Sequence, residues 1–478
     1  MGIKMSSNEL IQLQKSIWKS ADELSKKVDN WDFKQYVLGF LFYRFVSENL
    51  TTYINKNQRD AGFKDFEYSS LDDKTAERAR KSTVEEKGYF ILPSELFINV
   101  RGSTRIENTS NKQNIEDLNE KLSKVFRNIE ASALGTASEM NLKGLFDELD
   151  LNSAKLGKTV LERNKRLNEI MDEIGSWEVG GTSDDPINHF GDIYQYLITQ
   201  YAAEARKKGG DFFTPPEVSE LLARITLIGK KKINKVYDPA FGSGFLLLQF
   251  TKILGKDKIG SGIYGQDENL TFYNLCRMNM FLHDINFEKF DIAYGDTLTD
   301  PQHWDAQPFE AIVSNPRFTQ KWVGDGNSLM IDDPRFSPAG ILAPKDKHDL
   351  AFTMHILHWL ATNGTAAIVQ HPGVMYRGKA EQKIRQYLIE NNFVDCVVQL
   401  APDLFFGGTI APTVLVLKKS KKTNEIFFLN ASAEFKRVDN KNKLMADNIA
   451  NIIQMLENRK NIEYISRIVG ADEIIKNK

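Results

Sequence analysis

The run KVYDPAFGSGFLLL ends a short β-rich stretch in Asp238 and passes straight into a glycine turn, Gly242-Ser243-Gly244, ahead of an apolar helix. Glycines let the backbone curl tightly and let a ligand approach with no Cβ in the way, and the helix start behind them offers free amides. The segment therefore suits a nucleotide-like cofactor, although a plain strand-to-helix connection would use the same residues. Two further strand ends carry acids at the spacing a doubly wound site requires: Asp267 in IYGQDEN and Asp296 in YGDTLTD. An acid after the second strand can accept from both ribose hydroxyls, and one after the third from the adenine amino group of a bound nucleoside. Each could instead be a solvated turn acid, which is the better reading of Glu268. The chain has no GxxxxGK(S/T) loop, so an NTP-cradling site is not supported.

A fourth strand end, AIVSNPRF, supplies different chemistry. The nitrogen of an adenine amino group is a poor nucleophile because its lone pair is delocalised into the ring. A site that accepts both amino hydrogens localises that pair, and the Asn315 side-chain oxygen and the Pro316 carbonyl are two such acceptors on adjacent residues. Phe318 adds a flat surface on which a base swung out of a duplex can stack, worth roughly 1–3 kcal/mol. No strong general base is obligatory when the methyl leaves a sulfonium and the reacting atoms lie in line at about 3–3.5 Å. Taken alone, an Asn-Pro after a strand is most simply a turn. Upstream, GGDFFTPPEV places Gly210, Asp211, Phe212, Phe213 and Thr214 before an apolar helix. Thr214 as N-cap and Pro215 at the first helical position account for it locally, and a loop closing over a cofactor would need the same hydroxyl, amides and aromatic cover.

The elements that must position these residues follow from periodicity. Beyond a linker at residues 175–186, short apolar runs alternate with helical segments, as in parallel βαβ units. The predicted strands are 235–237, 262–265, 291–294, 311–313, 366–369, 393–399 and 413–417, an open sheet of about seven. The first third is helical: Leu10, Leu13 and Ile17 recur at helix spacing, residues 40–50 are densely apolar, and Leu118, Leu122 and Phe126 mark an amphipathic helix beyond. Gly, Ser, Thr, Asp and Pro cluster between Gly175 and Pro186, the expected linker. The expected domains are thus 1–174, helical; 175–431, the α/β catalytic domain; and 432–478, a charged helical tail with Ile449, Ile452, Ile453 and Leu456 on one stripe.

Composition narrows the class. A chain of 478 residues calls for two or three domains. A formal net charge of −2 lacks the positive field needed to hold DNA by phosphate neutralisation alone. Cys276 and Cys396 stand far apart with no ligand pattern around them, which argues against a disulfide framework and a zinc site and for a reducing cytoplasm. No apolar run approaches the length of a membrane span, and the charged, polar N-terminus leads us to expect no targeting segment.

The order GDFFTP, DPAFGSG, NPRF resembles the modification (M, HsdM-type) subunits of type I restriction-modification systems. The likeness extends through WDFKQYVLGFLFYRF, RMNMFLHDI, ILAPKDKHDLAF, YRGKAEQKIRQYL and LFFGGTIAPTVLVL, nearly the whole chain. The resemblance implies a Rossmann-like, S-adenosylmethionine-dependent methyltransferase sheet behind a helical domain used in assembly and DNA clamping. It implies methyl transfer to the exocyclic amino group of adenine, flipped out of double-stranded DNA. The implied partners are a specificity subunit that reads the target, a second modification subunit and a nuclease-motor subunit. By the same resemblance Asp238, Gly242, Ser243 and Gly244 would line the cofactor, Asp267 would hold its ribose, Asp296 its adenine, and Phe213 and Thr214 its methionine end. Asn315, Pro316 and Phe318 would hold the target base. Three departures stand out: Arg317 where the family has a second proline, which implies impaired transfer or a scaffold that has lost turnover; an end at Lys478, implying a tail shorter than the family's; and Phe241 where the family has a small residue, able to crowd the cofactor loop.

Overall fold

The computed structural model describes residues 7–25, 32–105, 115–179, 189–207, 214–318, 320–405, 410–438 and 441–476. The chain divides into two compact units: residues 1–205 with 277–288, and residues 206–276 with 289–478.

In the first unit the apolar run at residues 36–43 has no polar face. It therefore forms the middle of a long helix, Asp32–Asp60, in which Val37, Phe40, Leu41, Phe42, Tyr43, Val46 and Leu50 are fully buried. The amphipathic helix Leu118–Ala131 presents Leu118, Leu122, Phe126 and Ile129 inward, and Phe126 stacks on Phe146 with ring centres 4.4 Å apart. The helix Val160–Ser176 begins in a capping box: the Thr159 hydroxyl accepts from the Glu162 amide at 3.2 Å, and the Glu162 carboxylate accepts from the Thr159 amide at 3.1 Å. The expected linker begins at the end of this helix, and its residues 180–186 lie outside the described residues.

The second unit holds one sheet whose strands are β1 (Ile233–Asp238), β2 (Ile259–Asp267), β3 (Phe290–Tyr294), β4 (Phe309–Ser314), β5 (Leu360–Gln370), β6 (Val394–Gln399), β7 (Thr413–Lys418), β8 (Glu425–Asn430) and β11 (Ser466–Gly470). A separate hairpin is formed by β9 (Lys436–Val438) and β10 (Lys441–Lys443). The order across the sheet is β11-β8-β6-β7-β5-β4-β1-β2-β3. All seven predicted strands are present within β1 to β7. The parallel pattern breaks twice: β7 runs antiparallel to β5 and β6, and β11 antiparallel to β8.

The segment after Ser432 departs from the helical tail expected of it. A helix, Ala446–Asn458, does bury Ile449, Ile452 and Leu456, but β11 beyond it pairs residue for residue with β8. A five-residue strand carries too little alternation to declare itself. Its identity comes from the edge it completes.

The chain lays down β1, β2 and β3 in one direction and then returns to place β4 on the other side of β1. Connections that leave β1 and β4 therefore diverge to opposite sides, opening a crevice at their carboxyl ends, where a doubly wound sheet accepts ligands. Under that crevice the helix Asp349–Trp359 is buried along nearly its whole length. Trp359 lies 5.1 Å from the Tyr237 ring, which stacks on Phe309 at 4.6 Å. Among the described residues no helix is long and apolar enough to cross a membrane.

The fully buried Trp359 indole N–H has no hydrogen-bond partner among the described residues. Trp359→Ala should cost about 3–5 kcal/mol in denaturant unfolding through the cavity it opens. Trp359→Phe should cost less than about 2 kcal/mol, because it also removes the unsatisfied donor. Equal costs for the two would show that the N–H is paired in solution.

Candidate active site

β1 delivers Asp238 to the crevice with its side chain only 1% exposed. One carboxylate oxygen accepts from the Ala240 amide and from the Ser314 hydroxyl, both at 2.9 Å. The other oxygen is buried and has no partner among the described residues. Burial in this half-satisfied state pushes the carboxyl from its ordinary 3.8 up to about 7, with the Asp267 charge adding to the rise and the two hydrogen bonds opposing it.

The turn after Asp238 needs its glycines. Gly242 and Gly244 take φ of +57° and +80°, and a Cβ on Gly242 would meet open space, so backbone conformation alone selects glycine there. Gly244 caps the helix Phe245–Leu254, and Ser243 is buried between the two glycines. The neighbouring strand pins this turn: the Gly242 amide donates to an Asp267 carboxylate oxygen at 3.0 Å, and the Asn269 amide donates to the other at 2.9 Å. Burial raises the Asp267 carboxyl above its ordinary value, while those amides and the Arg317 charge pull it back.

Phe241 does not crowd the turn from outside. Its side chain is buried over Gly265 of β2, where an added Cβ would sit 2.8 Å from a ring carbon. The missing side chain at Gly265 is the space the ring fills.

At the end of β3, the Gly295 amide donates to the Asp267 carbonyl at 3.0 Å. The Asp296 carboxylate turns back on its own loop, accepting from the Leu298 amide at 2.9 Å and from the Thr299 hydroxyl at 2.6 Å. The Thr297 hydroxyl reaches across to the Pro239 carbonyl at 2.7 Å. At the end of β4, the Asn315 amide group donates to the Thr214 hydroxyl at 2.9 Å, leaving its carbonyl oxygen as the acceptor on offer. Pro316 is buried, and Phe318 stands edge-on to His371 with ring centres 5.9 Å apart. Arg317 turns the other way: its guanidinium lies 5.8 Å from the centre of the Phe272 ring.

Hydrogen bonds thus pair Thr214 with Asn315, Asp238 with Ser314, and Gly242 with Asp267, while Gly295 and Thr297 on either side of Asp296 bond to Asp267 and Pro239. Phe213 lies outside the described residues. Five contributors were not legible in the sequence: Ser314, Phe272, His371, and Gly295 and Thr297 on either side of Asp296. Ser314 had the clearest signal, since it immediately precedes Asn315 and ends the same strand. Among the described residues no group of three or more His, Cys, Asp or Glu could hold a metal ion, and the buried Cys276 and Cys396 form no disulfide.

The residues present fit a nucleoside cofactor that carries a cationic or hydroxyl donor, because Asp238 keeps a buried acceptor without a donor while Asp267 and Asp296 stand at the next two strand ends.

Comparison with known proteins agrees in sequence and in fold. The family model described as N-6 DNA Methylase matches residues 185–478, and that of the HsdM N-terminal domain matches residues 13–174. The chain is 44% identical to the methylase subunit of the type I restriction enzyme MpnII of Mycoplasma pneumoniae, over 97% of this chain and 86% of that one. It is 28% identical to the MjaVII methylase subunit of Methanocaldococcus jannaschii, over 93% and 73%. The crystal structure of a type I restriction-modification methyltransferase subunit from Streptococcus thermophilus superposes with a TM-score of 0.86 at 32% identity, covering 98% of this chain and 97% of that one.

The raised Asp238 carboxyl has a consequence for stability. The folded chain retains a proton that the unfolded chain releases above pH 3.8, so this group's contribution to stability is greatest below that pH and is lost as pH rises to about 7. In Asp238→Asn that loss should vanish. The ligand-free variant should melt no lower than the parent at about pH 8, with a flatter thermal-midpoint profile between about pH 5 and 8. Parallel profiles would mean that Asp238 is ionised throughout.

Proposed function

The chain belongs to the N-6 DNA methylase family as a methylase subunit of type I restriction-modification systems, and we propose that it transfers a methyl group from S-adenosylmethionine to the exocyclic amino group of adenine in DNA. The observation that carries this reading is the hydrogen bond of Asn315: with its NH2 committed to Thr214, its carbonyl oxygen is left to accept from an incoming planar amine.

Bound S-adenosylmethionine supplies an activated methyl on a sulfonium sulfur. Asp238 would hold it through the carboxylate oxygen that lacks a donor, Asp267 through the ribose hydroxyls and Asp296 through the adenine amino group, with the Gly242–Gly244 turn giving close backbone approach. Thr214 and Phe213 would flank the methionine end. Asn315 and the Pro316 carbonyl accept the two hydrogens of the target amine and so concentrate its lone pair on nitrogen. Phe318, steadied by His371, supplies the surface for the extruded base. Neither Asn315 nor Pro316 is a base, so the proton lost by the methylated amine passes to water.

The near-neutral charge supports borrowed target recognition: a specificity subunit would read the sequence, with a second copy of this chain and a nuclease-motor subunit completing the assembly in the cytoplasm. The helical first unit would contribute to that assembly and to clamping DNA.

The test is methyl incorporation into duplex DNA by this chain with its specificity subunit, read out by sequencing for N6-methyladenine. Asn315→Ala should lower kcat by about 10²–10³-fold or more, with little change in cofactor affinity measured by calorimetry. Methylated cytosine in place of adenine, or an unaltered rate in the variant, would reject the proposal.

Arg317 bears on turnover. Its cation lies over Phe272 and acts on Asp267, on the cofactor side of the crevice, where a proline would fix φ instead. Arg317→Pro is expected to raise the methylation rate of the assembled complex while leaving cofactor binding largely unchanged. Equal rates would mean that the arginine is no impediment.

A further inference from the structure

Arg335 belongs to the segment between β4 and the helix Asp349–Trp359, well beyond the Asn315 motif, and it is 2% exposed. A guanidinium so deeply buried is tolerated only when all its donors are spent. They go to three places. The Nε donates to Asp333 Oδ1 at 3.0 Å, and Nη2 donates to Asp333 Oδ2 at 2.8 Å, a two-pronged ion pair within its own segment. Nη1 donates to the Thr297 carbonyl at 2.8 Å, and Nη2 to the Leu298 carbonyl at 2.7 Å. Nη1 also meets His355 Nδ1 at 3.2 Å, and His355 Nε2 lies 3.1 Å from the Tyr237 hydroxyl. Burial and the Arg335 charge keep His355 well below its ordinary pKa, so the ring is neutral. With Nδ1 accepting from the guanidinium, Nε2 carries the proton.

Thr297 and Leu298 immediately follow Asp296, and their turn is what shapes the Asp296 carboxylate: the Leu298 amide and the Thr299 hydroxyl hold its two oxygens. The Thr297 hydroxyl fastens the same turn to the Pro239 carbonyl beside Asp238. A shift of the two carbonyls held by Arg335 therefore moves Asp296 relative to the glycine turn.

We propose that Arg335 is a positioning residue that sets Asp296 against the adenine end of the methyl donor, by clamping the 297–298 backbone to the segment following the target-base motif. This rests on Asp296 reading the cofactor adenine. An acceptor there favours a 6-amino purine, which donates, over a 6-oxo purine, whose carbonyl it repels.

The experiment measures dissociation constants of the full-length chain for S-adenosylhomocysteine and for its 6-oxo counterpart, S-inosylhomocysteine, by titration calorimetry. The parent should prefer the 6-amino compound by about tenfold or more. In Arg335→Lys, which keeps the charge but loses the fork, that preference should fall toward unity while affinity for the 6-oxo compound changes less than about threefold. Asp333→Asn, a milder change at the edge of the same pair, should lower the preference in the same direction and decides the matter should the lysine variant fail to fold. A parent with no preference would overturn the reading of Asp296 itself. A preference retained in folded variants, or an equal loss of affinity for both compounds, would overturn the role of Arg335 alone.

Discussion

A carboxylate buried at the end of β1 with only one oxygen satisfied is the constraint around which the crevice is organised. Asp238 is fixed by Ser314 of the adjacent strand and by the amide two residues on. Its second oxygen is then a buried acceptor without a donor among the described residues, an arrangement that costs stability. The proton it holds near neutral pH is the ligand-free compromise. A ligand that brings a donor would complete the site and favour the ionised form, so affinity and stability are set by the same group.

Around that carboxylate, pairwise hydrogen bonds join the ends of β1, β2, β3 and β4. Ser314 joins β4 to β1, Gly242 joins the glycine turn to Asp267, Gly295 joins β2 to β3, and Thr297 returns to Pro239. Each bond is modest in water-exposed surroundings, but those that are buried are expensive to break without replacement. The crevice is thus held to shape before any ligand arrives, which is what a reaction depending on alignment of a donor and an amine requires. Beneath it, Tyr237, Phe309, Trp359 and His355 form an aromatic floor, and Arg335 threads that floor to reach the loop of Asp296.

The two residues in the motifs on which the resemblance is imperfect, Phe241 and Arg317, behave differently. Phe241 is absorbed by packing, because Gly265 on the next strand leaves room for its ring. Arg317 keeps its long side chain near the crevice, stacked on Phe272 and electrically coupled to Asp267. A bulky apolar side chain can be hidden when a neighbour is small. A guanidinium at a crevice rim stays near water and any available carboxylate.

The sequence by itself determined seven of the nine strands of the sheet and the identity of the chemical groups. Seven strands were visible because each is a short apolar run closed by a turn, and Asp238, Asp267, Asp296 and Asn315 were visible because each sits where such a run stops. That information is local, carried by residue type and spacing over a few positions. What only the tertiary structure decided depends on partners distant in sequence: the antiparallel β7, the late β11 joined to β8, Phe241 folded over Gly265, and Arg335 clamping the Asp296 loop. A single strand edge, an empty space beside a glycine or a backbone carbonyl leaves no mark in the residues that will meet it, so these contacts exist only once the chain has brought both sides together.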